Sequence, residues 1–206
     1  MSRYTGPRLK VMRALGVDLP GLSRKTIADR PYPPGQHGQQ SQRQQRKSGY
    51  GLQLQEKQKL RFNYGVTERQ MRRLVLDARR DRGSTGAKLA ELLERRLDNV
   101  AFRAGFAPTV MAARQLVNHS HVTVNGRIVN IPSFRVRVGD VIGLRQKSRE
   151  LLIVKSSFEA PALSRPEWLA TDEPNFTVTV SHLPDVADVP FPIEMQLVVE
   201  YYSQRI

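Results

Sequence analysis

Val122-Thr123-Val124-Asn125-Gly126-Arg127-Ile128-Val129 sets Asn-Gly between two β-branched runs. Both turn residues tolerate positive φ, which a two-residue hairpin loop demands, so this stretch predicts a β-hairpin. Just ahead of it, Pro108-Thr109 opens a helix whose apolar residues Ala113, Leu116 and Val117 share one face. A shorter helical piece, Asn99 to Ala104, stops at Gly105. Beyond the hairpin, strands are expected at Phe134 to Val138 and at Val141 to Leu144, joined by the turn Gly139-Asp140. Residues 95–155 therefore read as a small helix-turn-helix/β-sheet domain.

Working outward from it, the preceding residues are helical. Leu52, Leu60 and Phe62 stand among Gln, Lys and Arg up to the stop at Asn63-Tyr64-Gly65. Thr67 and Gln70 have capping-box spacing and open a helix to about Arg80, with Met71, Leu74, Val75 and Ala78 as its buried stripe. After Gly83-Ser84-Thr85-Gly86, the residues Leu89, Leu92, Leu93, Arg96 and Leu97 define a further amphipathic helix. Apart from a short helix from Pro7 to Leu15 closed by Gly16, residues 1–50 are too poor in apolar side chains to offset the cost of ordering them. They read as an extended basic arm that orders against a partner or the rest of the fold. The tail carries Pro166-Glu167-Trp168-Leu169 and two expected strands, Phe176 to Val180 and Met195 to Tyr201. The fold class is α+β: a mainly helical first domain (51–94, completed by 156–206) with an N-terminal arm and C-terminal strands, and the small domain inserted over 95–155.

Charge indicates the partner. The chain of 206 residues carries 33 Lys plus Arg against 19 Asp plus Glu, a net +14. Residues 1–62 hold +10 and residues 101–157 hold +7, whereas residues 158–206 hold −6. Of the basic residues 25 are Arg, whose planar fork suits phosphate and base stacking. A surplus of that size argues for nucleic acid. Arg135 and Arg137 alternate with Val136 and Val138 and are expected on one face of a strand. No cysteine is present, so disulfides, thiolate zinc sites and a cysteine nucleophile are excluded. No apolar run approaches the ~18 residues of a membrane span, and no apolar stretch follows Met1-Ser2-Arg3, so a cytoplasmic protein without membrane contact is expected.

Chemical sites find little support. Gly83-Ser84-Thr85-Gly86-Ala87-Lys88 lacks the spacing of a phosphate loop and follows a helix, so it reads as a loop with a helix cap. His119 and His121 alternate into a strand without Cys or carboxylates nearby; they suit phosphate or base contact, or a plain surface position, better than a metal. Glu91, Glu94 and Asp98 interleave with Arg95 and Arg96, the pattern of a salt-laced solvent face. No nucleophile motif is present, and no enzyme, cofactor or metal is expected.

Ala113-Arg114-Gln115-Leu116-Val117-Asn118-His119, Val124 to Phe134 and Gly139-Asp140-Val141-Ile142 together resemble the small RNA-binding domain named after ribosomal protein S-four. Modules of that kind are also appended to modifying enzymes, but the rest of the chain resembles the bacterial-type S-four ribosomal family as well. The resemblance runs through Ser2 to Pro7, Lys47-Ser48-Gly49-Tyr50-Gly51, Arg95 to Val100, Pro166 to Leu169 and Val198 to Ser203. It implies a structural component of the small ribosomal subunit that binds the 5′ domain of its rRNA early and nucleates assembly of the body. It also implies proximity to the incoming mRNA channel, to ribosomal protein five and to other small-subunit proteins, with an influence on decoding accuracy. Many relatives carry a cysteine zinc cluster near the N-terminus, which this chain lacks. The candidate rRNA contacts are Arg3, Arg8, Lys10, Arg13, Arg72, Arg73, Arg103, Arg114, His119, Asn125, Arg127, Arg135 and Arg137. Arg43, Arg46 and Lys47 fall where the resemblance puts the mRNA. The alternative is a free-standing RNA-binding translational regulator using the same module.

Overall fold

The computed structural model describes residues 4–39 and 48–205. Helix α1 (Arg8–Leu15) ends on Gly16 in the left-handed region, and α2 (Gly49–Asn63) starts at a Ser48 cap. The Thr67 capping box forms on both sides and opens α3 (Glu68–Arg79), while Ser84 caps α4 (Thr85–Glu94). Next come α5 (Leu97–Arg103) and α6 (Val110–Asn118), the latter capped by Thr109. The hairpin follows as β1 (Val122–Val124) and β2 (Arg127–Ile128), with Asn125 at φ 50° and Gly126 at φ 77°. Then come β3 (Val141–Leu144), α7 (Gln146–Arg149), α8 (Leu152–Glu159), β4 (Leu169–Asp172), β5 (Thr177–Val180) and α9 (Met195–Ser203).

One antiparallel sheet runs in the order β2-β1-β3-β5-β4, with Val124 opposite Ile142 and Ile142 opposite Val178. Its apolar face packs on α5, α6 and α8 around Phe102, Val117, Ile142, Val154, Trp168 and Val178. A second core joins α1 to α4 with α9 through Met12, Leu60, Met71, Leu89, Leu93 and Val198. No helix of the described residues is long and apolar enough to cross a membrane.

Several expectations are corrected. Residues 195–203 form a helix rather than a strand. Val198, Val199, Tyr201 and Tyr202 favour strands locally, but the buried positions Met195, Val198, Tyr201 and Tyr202 repeat at helical spacing and fit the groove beside α2 and α4. The tail does not pack as strands on the helical core: β5 pairs with β3 of the small sheet, and only the chain from about Val189 onward joins the helical core. Phe134 to Val138 is not a strand. Its backbone is taken up by the connection between α4 and α5, with the Leu97 amide donating to the Phe134 carbonyl and the Val136 amide to the Arg95 carbonyl. Arg135 makes a single bridge, to Arg96. The helix expected to run through Leu97 ends at Glu94, and Leu97 opens α5. Within the arm, Met12, Leu19 and Leu22 are buried in the helical core, so residues 8–22 belong to it, whereas residues 24–37 are mostly exposed.

Candidate nucleic-acid interface

The two cores meet at a polar seam built by residues 94–114. Asp98 has no exposed surface, and two guanidinium groups converge on it. Arg96 donates from Nε and Nη2 at 3.1 and 3.0 Å, and Arg114 donates from Nε and Nη2 at 2.9 and 2.5 Å. Arg114 also donates to the carbonyls of Gly65 (2.6 Å) and Tyr64 (3.0 Å), tying α6 to the end of α2. Gly65 is at φ +57°, a left-handed turn that favours glycine. Beside this, buried Glu94 accepts from Tyr64 Oη and Asn99 and faces Arg103 at 3.7 Å. Burial holds both the Glu94 carboxyl and the Tyr64 hydroxyl above their ordinary values.

These facts overturn two readings. Glu94 and Asp98 are fully buried and link the halves, so the solvent-face reading of Glu91, Glu94 and Asp98 holds at most for Glu91, which pairs with Lys88 and Arg95. Arg103, expected from the sequence to contact RNA, is spent inside the protein, and Arg114, expected likewise, gives most of its donors to Asp98 and two carbonyls while still lining a cleft beside it. Arg103 is 6% exposed, faces Glu94 at 3.7 Å and donates from Nη2 to the Asp188 carbonyl, and Arg114 completes the Asp98 network. A lone carboxylate in a buried seam demands cations, and local sequence does not distinguish these arginines from surface ones.

Other candidates are partly engaged. Arg8 donates to the Leu22 carbonyl, and Arg13 donates to the carbonyls of Tyr32 and Pro33 while lying over the Tyr32 ring, which pins the arm. Asn125 bonds Asp140 and the Val141 amide, so it holds the hairpin turn against the next strand. Arg135 is turned from the expected shared strand face toward Asp77 on α3, a half-exposed bridge between the two halves. Arg72 is exposed and reaches only the Arg205 carbonyl.

Lys10, Arg73, Arg127 and Arg137 are exposed, and their side chains have no ion pair or hydrogen bond among the described residues. Arg69 on α3 and Lys147 on α7, outside the candidate set, are in the same position. At the end of α6 the exposed His119 ring lies 6.2 Å from that of His121. Arg145 leans on the Ser120 carbonyl, and its amide donates to the His121 carbonyl. His121 Nδ1 lies 2.9 Å from Ser148 Oγ. Burial, then the neighbouring His119 and Arg145, lower the His121 pKa, a sign of positive potential at this rim. Arg3, Arg43, Arg46 and Lys47 lie outside the described residues. Among the described residues no cluster of three His, Asp or Glu suits a metal ion.

The family profile described as Ribosomal protein S4/S9 N-terminal domain matches residues 3–94, and the S4 domain profile matches residues 95–142. The chain is 62% identical over 206 residues to the small ribosomal subunit protein uS4 of Methylobacillus flagellatus, with both chains fully covered. It is 64% identical over 205 residues to the uS4B protein of Nitrosomonas europaea and 52% identical over 207 residues to a uS4 protein of Synechococcus, again across both full lengths.

Proposed function

The chain belongs to the uS4 family of ribosomal proteins, and from that membership we propose that it is a structural constituent of the small ribosomal subunit in the cytoplasm. The family is structural, so the chain is not an enzyme. Its specific partner is the 5′ domain of small-subunit rRNA, which it binds early and whose folding into the body it nucleates. Ribosomal protein five, other small-subunit proteins and the incoming mRNA lie against it, with Arg43, Arg46 and Lys47 on the mRNA side, and through these contacts it bears on decoding accuracy.

The observation that supports this best is the distribution of uncommitted cations over both halves. Lys10, Arg69 and Arg73 belong to the helical half, and Arg127, Arg137 and Lys147 belong to the small domain. A cation matched one to one by a carboxylate gains little from a phosphate, whereas a free exposed one releases counterions on meeting it. Recognition then works by backbone and shape across several converging RNA helices. In the salt dependence of binding to a 5′-domain transcript, Arg127→Ala with Arg137→Ala lowers the magnitude of the log–log slope by about 2. An unchanged slope removes the small domain from the interface. Sedimentation of cell lysate separates the alternatives: a subunit constituent migrates with small subunits, and a free-standing regulator does not.

A further inference from the structure

A cleft of about 420 Å³ opens between the two halves, at the end of α2, the start of α3, the outer side of α6 and the loop at Pro132-Ser133. Its volume is in the range of sites that hold a small organic ligand. Three arginines line it, Arg61, Arg96 and Arg114, and no Asp or Glu does. Arg96, buried, and Arg114, half-buried, share the one carboxylate of Asp98, so two guanidinium charges face one negative charge. Arg96 is only 4% exposed, and its Nη1 has no hydrogen-bond partner among the described residues. Glu68, the acid on which the Arg61 charge acts, is already bonded to Lys57 at 2.9 Å and to the Tyr202 hydroxyl at 2.7 Å. The cleft thus holds more positive than negative charge along its walls, which an anion balances.

The mouth has a second chemistry. The Phe62 ring lies under the Arg61 guanidinium at 5.4 Å and takes the Tyr4 ring edge-on at 5.4 Å. Arginine laid on an aromatic ring is the surface on which an unstacked base settles. Elsewhere on the cleft wall, the Asn118 and Ser133 side chains have no hydrogen-bond partners among the described residues and suit a base edge or a 2′-hydroxyl. We propose that this cleft takes one extruded RNA nucleotide, with its base against Phe62 and Arg61 and its phosphate toward Arg96 and Arg114. The inference rests on the reading of the chain as an rRNA-binding protein and gives that reading one defined pocket. It also explains why a buried seam keeps two arginines for one aspartate.

The test fills the cleft from opposite walls. Asn118→Trp and Ser133→Trp in the full chain are each expected to weaken binding to a 5′-domain rRNA transcript about tenfold, the scale of one lost base stack. Melting temperature checks that the fold survives. In the wild-type complex, ultraviolet irradiation is expected to join an RNA nucleotide to Tyr4 or Phe62, as read by mass spectrometry of the digested complex, and both tryptophan variants lose that product. Wild-type affinity in both folded variants, together with no crosslink at either ring, overturns the inference and leaves the rRNA assignment standing. Adenosine monophosphate that binds the wild type in the cleft while the variants keep full rRNA affinity also overturns it, in favour of a free nucleotide. Failure of the wild type to bind the transcript at all overturns the rRNA reading itself, and the cleft assignment with it.

Discussion

The seam and the rim of the small domain are built from the same residue type put to opposite uses. At the seam, buried Arg96 and Arg103 and half-buried Arg114 pair with Asp98 and Glu94 and hold two cores together. At the rim, Arg127 and Arg137 are exposed and uncommitted, with His119, His121 and Arg145 gathered at the end of α6. Counting arginines therefore does not locate an RNA interface. What locates it is the number left over after each buried carboxylate has taken its cations.

The difference is sharpest for Asp98. Replacing it with Ala strands Arg96 and Arg114 as unpaired buried charges, and a cost of about 3–5 kcal/mol in unfolding free energy is expected. Urea denaturation measures it, and a loss below about 1 kcal/mol would mean that the seam does not hold the halves together. Arg114→Ala follows in size, because it removes one cation and leaves the carbonyls of Tyr64 and Gly65 without their donor. Each buried acceptor left unpaired costs about 1–3 kcal/mol. Arg127→Ala is expected to reverse the pattern. Unfolding stays within about 0.5 kcal/mol of wild type, while the salt slope of rRNA binding falls by about 1. If Arg127→Ala cost as much stability as Arg114→Ala, the contrast between seam and rim would be void.

Much of the fold was legible because it is locally encoded. Asn125-Gly126 demanded a hairpin, Thr67 and Gln70 a capping box, and the Met71, Leu74, Val75, Ala78 stripe a helix, and each is present. The misreadings share a cause, which is that tertiary demand overrode local preference. Val198-Val199 and Tyr201-Tyr202 carry strand propensity, yet the groove beside α2 and α4 is filled by helical spacing. Phe134 to Val138 alternates like a strand, yet its backbone serves the α4–α5 connection. The same limit applies to the site. Arg95-Arg96-Leu97-Asp98 looks like a solvated face, because in one dimension nothing shows that Arg114 arrives from another helix to bury it. Arg127, singled out in the sequence as one of the nearly unopposed basic residues of the small domain, stands exposed on the hairpin.

The smallest expected effect reads the rim's electrostatic field directly. Burial, then the charges of His119 and Arg145, depress the His121 pKa below 6.5 in the folded protein. Between that depressed value and 6.5 the unfolded chain binds the extra proton, so stability is fully present above about 6.5 and falls as pH drops through the window. His121→Gln removes this titration and is expected to lessen the stability lost between neutral pH and the folded-state value. Proton NMR of the ring follows it residue by residue: His121 titrates below 6.5 in the free protein, and Arg145→Ala moves it upward. Added 5′-domain rRNA is expected to move it upward too, because phosphates at the rim neutralise the field that keeps the ring uncharged. A His121 that titrates identically with and without RNA would place the phosphates away from the end of α6. The working interface of the small domain would then narrow to the hairpin and Arg137.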